Sequence, residues 1–183
     1  MPVTIGATES TFANPIGLLS DCHRRIERFL HAMLAVATEA AGGPLDAEHR
    51  RALETALRYF REAAPKHTAD EEEGLFPMLR RLANPRVAQL LAKVAKLEDE
   101  HHTVQAWHRE ADDICGRWLQ QDRLSAPDIA RLQQLLQSLT DLYRAHIAAE
   151  EEQIFPAAQA ALSASEKHAL GRQMAARRNL PIP

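Results

Sequence analysis

The chain is poor in the residues on which several fold classes depend. Its 183 residues include two cysteines, Cys22 and Cys115, and seven glycines, and only 5% are aromatic. Two cysteines cannot build the disulfide framework of a small secreted domain. Few glycines and aromatics leave too little turn and strand chemistry for a β-rich fold. No apolar run approaches the roughly 20 residues that span a bilayer, which excludes the membrane as a residence. The net charge is −3 and no basic cluster lines one face, since the Arg177-Arg178 pair is too short to make a nucleic-acid footprint. No charged, then apolar, then small-residue leader opens the sequence, and a cytoplasmic protein is expected. What is present, 45% hydrophobic and 26% charged residues, suits one globular domain with a sizeable core.

An eleven-residue stretch occurs twice, His67-Thr-Ala-Asp-Glu71-Glu72-Glu73-Gly-Leu75-Phe76-Pro77 and His146-Ile-Ala-Ala-Glu150-Glu151-Glu152-Gln-Ile154-Phe155-Pro156. Both read H-x-x-x-E-E-E-x-(Leu/Ile)-F-P. On a helix, His and Glu four residues apart lie about 40° apart around the axis and roughly 6 Å apart along it, so one metal centre can reach both. Each copy continues an apolar seam, Leu53, Leu57, Phe60, Ala64, His67, Glu71 in the first and Leu132, Leu136, Leu139, Tyr143, His146, Glu150 in the second. The seam points inward for several turns and then places a His and a Glu on that same face. Unpaired polar groups there cost several kcal/mol and need a partner.

In chain order, residues 1–13 read as a flexible lead. Asn14-Pro15 supplies a cap and a first-turn proline for a helix whose stripe holds Ile16, Leu19, His23, Ile26, Leu30 and Met33, stopped at Gly42-Gly43-Pro44. Asp46 caps a second helix through the first motif, with a kink expected at Pro65 and an end or bend at Pro77. After Asn84-Pro85 a third helix is predicted from about Val87 to Leu119, with Leu90, Val94, Leu97, His101, Val104, His108 and Cys115 on its seam. Ser125 and Pro127 open a fourth, carrying the second motif to about Leu162. Ser163-Ala-Ser-Glu166 reads as the capping box of a short fifth helix, and residues 179–183 are a tail. The expectation is an all-α fold, an antiparallel up-down-up-down four-helix bundle over residues 14–178 with a short fifth C-terminal helix.

Counted from turns near residues 44 and 123, His23, His67, His101 and His146 all fall 21 to 23 residues away. One histidine per helix therefore lands at one height, roughly 32–35 Å from the turns. His102 competes with His101, because it repeats the motif offset from His23. Helix phase favours His101, flanked inward by Leu97 and Val104, and His101 is preferred. Four imidazoles and two carboxylates suit two metals, and the mixed donor set fits iron. The pseudo-symmetry pairs His23 with His67 and His101 with His146, with Glu71 and Glu150 bridging.

These residues closely resemble the hemerythrin-like, or HHE, domain family, whose bacterial members carry a His, an H-x-x-x-E, a further His and a second H-x-x-x-E, one element per helix of a four-helix bundle. The resemblance covers roughly residues 14–178, including the Phe-Pro after each acidic run. It implies two non-haem irons, oxo- or hydroxo-bridged, that meet dioxygen, nitric oxide or peroxide, or else sense or store iron. It carries ligand roles onto His23, His67, Glu71, His101, His146 and Glu150. Oxygen-carrying hemerythrins have a second helix-three histidine four residues after the first and an aspartate five residues after the last. Here those helix-three positions hold Gln105 or Ala106, and the carboxylate is Glu150 at plus four. This argues against reversible oxygen transport and for reactive or sensing chemistry. The expected function is binding or reducing a small oxidant in sensing or stress response, without nucleic-acid or membrane partners; enzyme or sensor is open, as is the oligomeric state.

The alternative is an iron-homeostasis module without turnover, motivated by the acidic run. A hydrolase is weaker, because no H-E-x-x-H glutamate supplies a base, and a metal-free polar layer setting bundle register is disfavoured, because the same device occurs twice at one height. Glu72, Glu73, Glu151 and Glu152 are expected to form a solvated rim, and Glu27 to pair with Arg24 and Arg28 at the surface. Cys22 and Cys115 are expected as buried fillers, and Phe76 and Phe155 as plugs beneath the layer. His31, His49, His108 and His168 are bystanders, His108 alone lying where it could line access to the site.

Overall fold

The fold was obtained as a computed structural model, which describes residues 10–82 and 85–181. Residues 1–9 of the expected lead, Asn84 of the expected break and residues 182–183 of the expected tail lie outside these. Among the described residues every regular element is helical, and no helix is long and apolar enough to cross a membrane.

Four antiparallel arms and a C-terminal helix make up the bundle. The first arm is α1 (Pro15–Glu39), where the Asn14 side chain accepts from the Gly17 N–H and Pro15 fills the first turn. The second is α2 (Ala47–Glu62), capped by Asp46, then α3 (Ala64–Asp70), a wide π-helical turn over Glu71–Leu75, and α4 (Phe76–Arg81). After the short α5 (Pro85–Ala88), the third arm is α6 (Leu91–Gln121). The fourth repeats the second with α7 (Ala126–Ala149), a π-helical turn over Glu150–Ile154 and α8 (Phe155–Ala161). Helix α9 (Ala164–Arg177) begins with the expected capping box, Ser163 and Glu166 each accepting from the other's backbone N–H.

The prolines act at different points. Pro65 has no N–H for the carbonyl of Arg61 and its ring crowds that carbonyl, so the helix breaks at Ala63 as expected. Pro77 and Pro156 do not end their arms. The turn before each widens instead, with Phe76 and Phe155 donating five residues back to the carbonyls of Glu71 and Glu150, and the helix then continues. A wider turn absorbs the proline ring without exposing a buried carbonyl. The third arm also starts later than predicted, at Leu91, with α5 set apart from it.

Both interhelical turns lie at one end and are bonded together. Leu124 donates to the Gly42 carbonyl at 2.9 Å, Trp118 Nε1 to the Gly43 carbonyl at 2.8 Å, and Leu45 to Asp122 Oδ1 at 3.1 Å. This pins the two helical hairpins in register, so the counts from the turns become real heights. The core is consequently divided in two. One cluster toward the turns contains Leu30, Leu53, Trp118, Leu132 and Leu136. The other contains Leu19, Leu75, Phe76, Val94, Ile154, Phe155 and Leu170. The histidines and glutamates lie between them.

Helix α9 closes the second cluster. Asp70, fully buried beside Glu71 in the chain, accepts from Arg177 at 3.0 Å and from Arg178 at 2.7 Å. Breaking one side of a buried pair of this kind costs about 3–5 kcal/mol, so α9 is held firmly to the second arm. The described part of the lead packs as well. Phe12 lies against the second cluster, Ser10 N donates to the buried Asp21 at 2.5 Å, and the Phe12 carbonyl would sit 2.0 Å from a Cβ at Gly171.

Two glycine substitutions should therefore have opposite signs. Gly171→Ala must push the lead off α9 and should destabilise by about 1–3 kcal/mol. Gly116→Ala, in α6 with nothing within 4 Å of the added carbon, should stabilise by about 0.5–1 kcal/mol. Urea unfolding of both variants measures the contrast, and equal signs would contradict the packing described.

Candidate metal centre

Each arm contributes one histidine to the layer, and all four are buried, as are Glu71 and Glu150 with no exposed surface at all. The helical repeat alone brings His67 to Glu71 and His146 to Glu150, with Nε2 3.4 Å from a carboxylate oxygen in both cases. Bundle packing adds the other two. His23 Nε2 stands 3.0 Å from Glu150 Oε2 and 3.8 Å from Glu71 Oε1, and His101 Nε2 stands 3.5 Å from Glu71 Oε2. Glu71 thus directs one oxygen toward His23 and His67 and the other toward His101. The donor atoms form two groups that could each hold a cation, one of Glu71, His101, His146 and Glu150, the other of His23, His67 and Glu71. All six residues expected from the sequence are brought together, and His101 rather than His102 faces inward. His102 is exposed.

Three of the imidazoles are oriented from behind by carboxylates. Nδ1 of His23 lies 2.8 Å from Glu151 Oε1, that of His101 2.9 Å from Glu72 Oε1, and that of His146 2.9 Å from Glu100 Oε2. An imidazole that donates its Nδ1 proton outward presents the Nε2 lone pair inward. Glu72 and Glu151, expected in a solvated rim, are partly exposed but each is engaged by a histidine. Glu73 is exposed but reaches Arg177 at 3.3 Å, and Glu152 is exposed as expected. Glu100 was missed altogether. No motif marks it, since Glu100 lies outside both copies; the repeat could have flagged Glu72 and Glu151, the second Glu of each copy, which turn to the neighbouring arm's histidine.

The layer does not satisfy itself. Both oxygens of Glu71, both oxygens of Glu150 and His23 Nε2 are buried without a hydrogen-bond partner. Inward lone pairs face carboxylate oxygens at 3.0–3.8 Å, an arrangement of acceptors against acceptors that is repulsive unless a proton or a cation lies between. Proton affinities reflect the same strain. Burial and the charge of Glu150 push the Glu71 carboxyl up to about 8. For Glu150 burial acts upward too, but pairing with His146 and His23 outweighs it and holds the carboxyl far below its usual range. Burial also opposes a charge on His23, yet Glu150, Glu151 and Glu71 raise its affinity well above the usual value. His67 goes the other way, pushed well down by burial and by the charge of His23. Two buried carboxylates and four imidazoles are the donor set of a transition-metal cation, which would displace these protons on binding. The residues present fit such a group.

The surroundings decide access. Phe155 stacks on the His23 ring at 5.2 Å, and Phe76 is fully buried, so the plugs expected from the sequence are in place. Above the layer, between the second and third arms, a cavity of roughly 190 Å³ is lined by Phe60, Glu72, His101, His102, His108 and Tyr143 among others. His108 stacks on Phe60 at 4.3 Å and its Nε2 lies 3.1 Å from the Tyr143 hydroxyl. It is a wall of the cavity, not a bystander. Of the other histidines set aside, His49 pairs with Glu39 and Asp46. Cys22 and Cys115 are buried free thiols, as expected, and burial pushes both thiols up in pKa, Cys115 to about 12. Glu27 is exposed, but Arg24 pairs with Asp21 and Arg28 lies over the Phe29 ring.

Burial lowers the His108 pKa to about 4. Between that value and about 6.5, the unfolded chain binds a proton that the folded chain refuses, so this residue's contribution is present above pH 6.5 and is lost as pH falls. Comparing wild type with His108→Leu by denaturant titration, the drop in stability from pH 7 to pH 5 should be smaller in the variant by about 1–2 kcal/mol. An equal drop would show that His108 takes up its proton without penalty.

Residues 14–158 match the family described as hemerythrin HHE cation binding domain. An uncharacterized protein of Haemophilus influenzae is 27% identical over 171 residues, spanning 93% of this chain and 94% of that protein. The match extends over every arm that supplies the layer and over both copies of the motif, and with the buried His/Glu donors it leads to one conclusion: this chain belongs to the hemerythrin HHE cation-binding family and is a metal-binding, hemerythrin-like protein.

Proposed function

We propose that the protein is a non-haem di-iron protein that binds or reduces a small oxidant, such as dioxygen, peroxide or nitric oxide, in sensing or stress response. The observation that carries this reading is the pair of orphaned carboxylates, Glu71 and Glu150, set between histidines from all four arms. Imidazole suits iron, zinc and copper, carboxylate suits harder ions, and iron is the metal that the mixture serves best. His23 and His67 would hold one iron, His101 and His146 the other, with Glu71 and Glu150 shared. When bound, the irons supply the electrons that a small oxidant takes up.

The protein's own part is to position, neutralise and exclude. Glu151, Glu72 and Glu100 take the outer protons of His23, His101 and His146, which fixes three donor lone pairs inward. Glu71 and Glu150 together bring two negative charges, which offset much of the cations' charge in a low-dielectric interior. Phe76, Phe155, Leu75 and Ile154 close the lower side to water. The cavity beside His101 gives an approach from above. At roughly 190 Å³ it falls below the 300–1,000 Å³ of drug-sized ligand pockets, so its size favours a molecule of a few atoms. Tyr143, kept protonated by burial, can offer its hydroxyl there.

The iron-homeostasis alternative was motivated by a solvated acidic rim. With Glu72, Glu151 and Glu73 engaged by His101, His23 and Arg177, little of that rim is free to conduct iron, and turnover or sensing at the centre is the stronger reading. The two free, buried cysteines agree with the cytoplasmic setting expected from the sequence.

Protein produced with ample iron should contain about two irons per chain and show charge-transfer bands that change on adding peroxide, azide or nitric oxide. Elemental analysis with ultraviolet-visible spectroscopy on one sample tests this. Zinc alone, or iron whose spectrum ignores all three ligands, would refute it.

A further inference from the structure

The two donor groups are related by the internal repeat, but their outer partners are not. The second Glu of each motif copy serves the next arm, Glu72 for His101 and Glu151 for His23. The remaining pair breaks the pattern. His146 has Glu100 behind it, supplied by the residue directly before His101 on the third arm. The corresponding residue on the first arm, directly before His23, is Cys22, a buried free thiol in place of a carboxylate. The Nδ1 of His67, which Glu100's counterpart would serve, is buried without a hydrogen-bond partner. One group therefore has two carboxylate-backed imidazoles, and the other has one carboxylate-backed imidazole and one bare imidazole.

We infer that the two cation positions load in order, the His101/His146 position first and more tightly, the His23/His67 position second, so that a one-cation form is populated over a window of metal concentration. The inference rests on the metal-centre reading above. An outer carboxylate raises the basicity of a ligating histidine and fixes its tautomer, and losing one typically costs 10–100-fold in metal affinity. His67 carries that deficit permanently. Access acts in the same direction, since the cavity opens beside His101 and Glu72 whereas His23 lies under the Phe155 ring. The second cation also enters against the charge of the first. Partial loading becomes a distinct state in which the His101/His146 position is filled and the His23/His67 position responds to metal supply.

Titration of metal-depleted protein with Co²⁺, followed by calorimetry and visible absorption, separates the positions without any turnover. Wild type should bind in two steps separated by about tenfold or more. His67→Ala should lose the weaker step and keep the tighter one unchanged, whereas His101→Ala should lose the tighter. Glu100→Gln, a conservative change at a partly exposed side chain that should leave the fold intact by circular dichroism, should weaken the first step by about tenfold and bring the two together. Two steps of equal affinity in wild type, or Glu100→Gln leaving both steps unaltered, would overturn the ordering while leaving a two-metal centre intact. Failure of wild type to bind any cation would overturn the metal-centre reading and this inference together.

Discussion

Acceptors facing acceptors inside a closed bundle are the constraint from which the rest of this structure follows. Glu71 and Glu150 have no exposure and no hydrogen-bond partner, and three of the four imidazoles around them turn their outer protons away, toward Glu72, Glu100 and Glu151. Among themselves these groups can only share protons, which is why the carboxyl of Glu71 rises while that of Glu150 falls. A divalent cation removes the conflict at once. The cost of burying such a layer, several kcal/mol for each unpaired group, is borne by two apolar clusters on either side of it, each filled by large side chains with almost no exposure.

That division of the core explains details which look unrelated in the chain. The wide turns before Pro77 and Pro156 return Leu75, Phe76, Ile154 and Phe155 to the interior directly beneath the glutamates that open them. The bonds between the two hairpin turns, far from the layer, set the heights at which the histidines meet. Helix α9 binds Asp70 through two arginines and so holds the second arm at the residue next to Glu71. Rigidity is needed because a metal site tolerates little displacement of its donors.

The internal repeat makes the centre nearly symmetric, and its departures from symmetry carry the chemistry. A cavity opens beside His101, with the Tyr143 hydroxyl and the neutral His108 in its wall. The other side is sealed by the ring of Phe155 on His23. Cys22 stands where the repeat would place a second Glu100, and His67 lacks the outer carboxylate that its three counterparts have. The duplicated scaffold thus has unequal halves, which differ in the outer partners of their histidines.

Much of this was legible in the sequence because helical periodicity is a local property. The spacing of Leu53, Leu57, Phe60, His67 and Glu71, repeated at Leu132 to Glu150, determined by itself which face turns inward, and with the caps at Asn14, Asp46, Ser125 and Ser163 it determined an all-α bundle and its six inward donors. Phase also selected His101 over His102, because one residue is 100° of rotation and moves the ring from core to solvent. What neighbouring arms do to one another was not legible. The partnership of Glu72 with His101, of Glu151 with His23 and of Glu100 with His146 links residues 29, 128 and 46 positions apart, and a glutamate beside an inward glutamate looks, from its own helix, like a solvated one. The widening rather than ending of the helices at Pro77 and Pro156 was decided by packing too, since a buried carbonyl without a partner costs more than a strained turn. Sequence determined which groups face inward; only the tertiary structure decided which of them meet, because a side chain's direction is set by its own helix and its partner by the packing of the others.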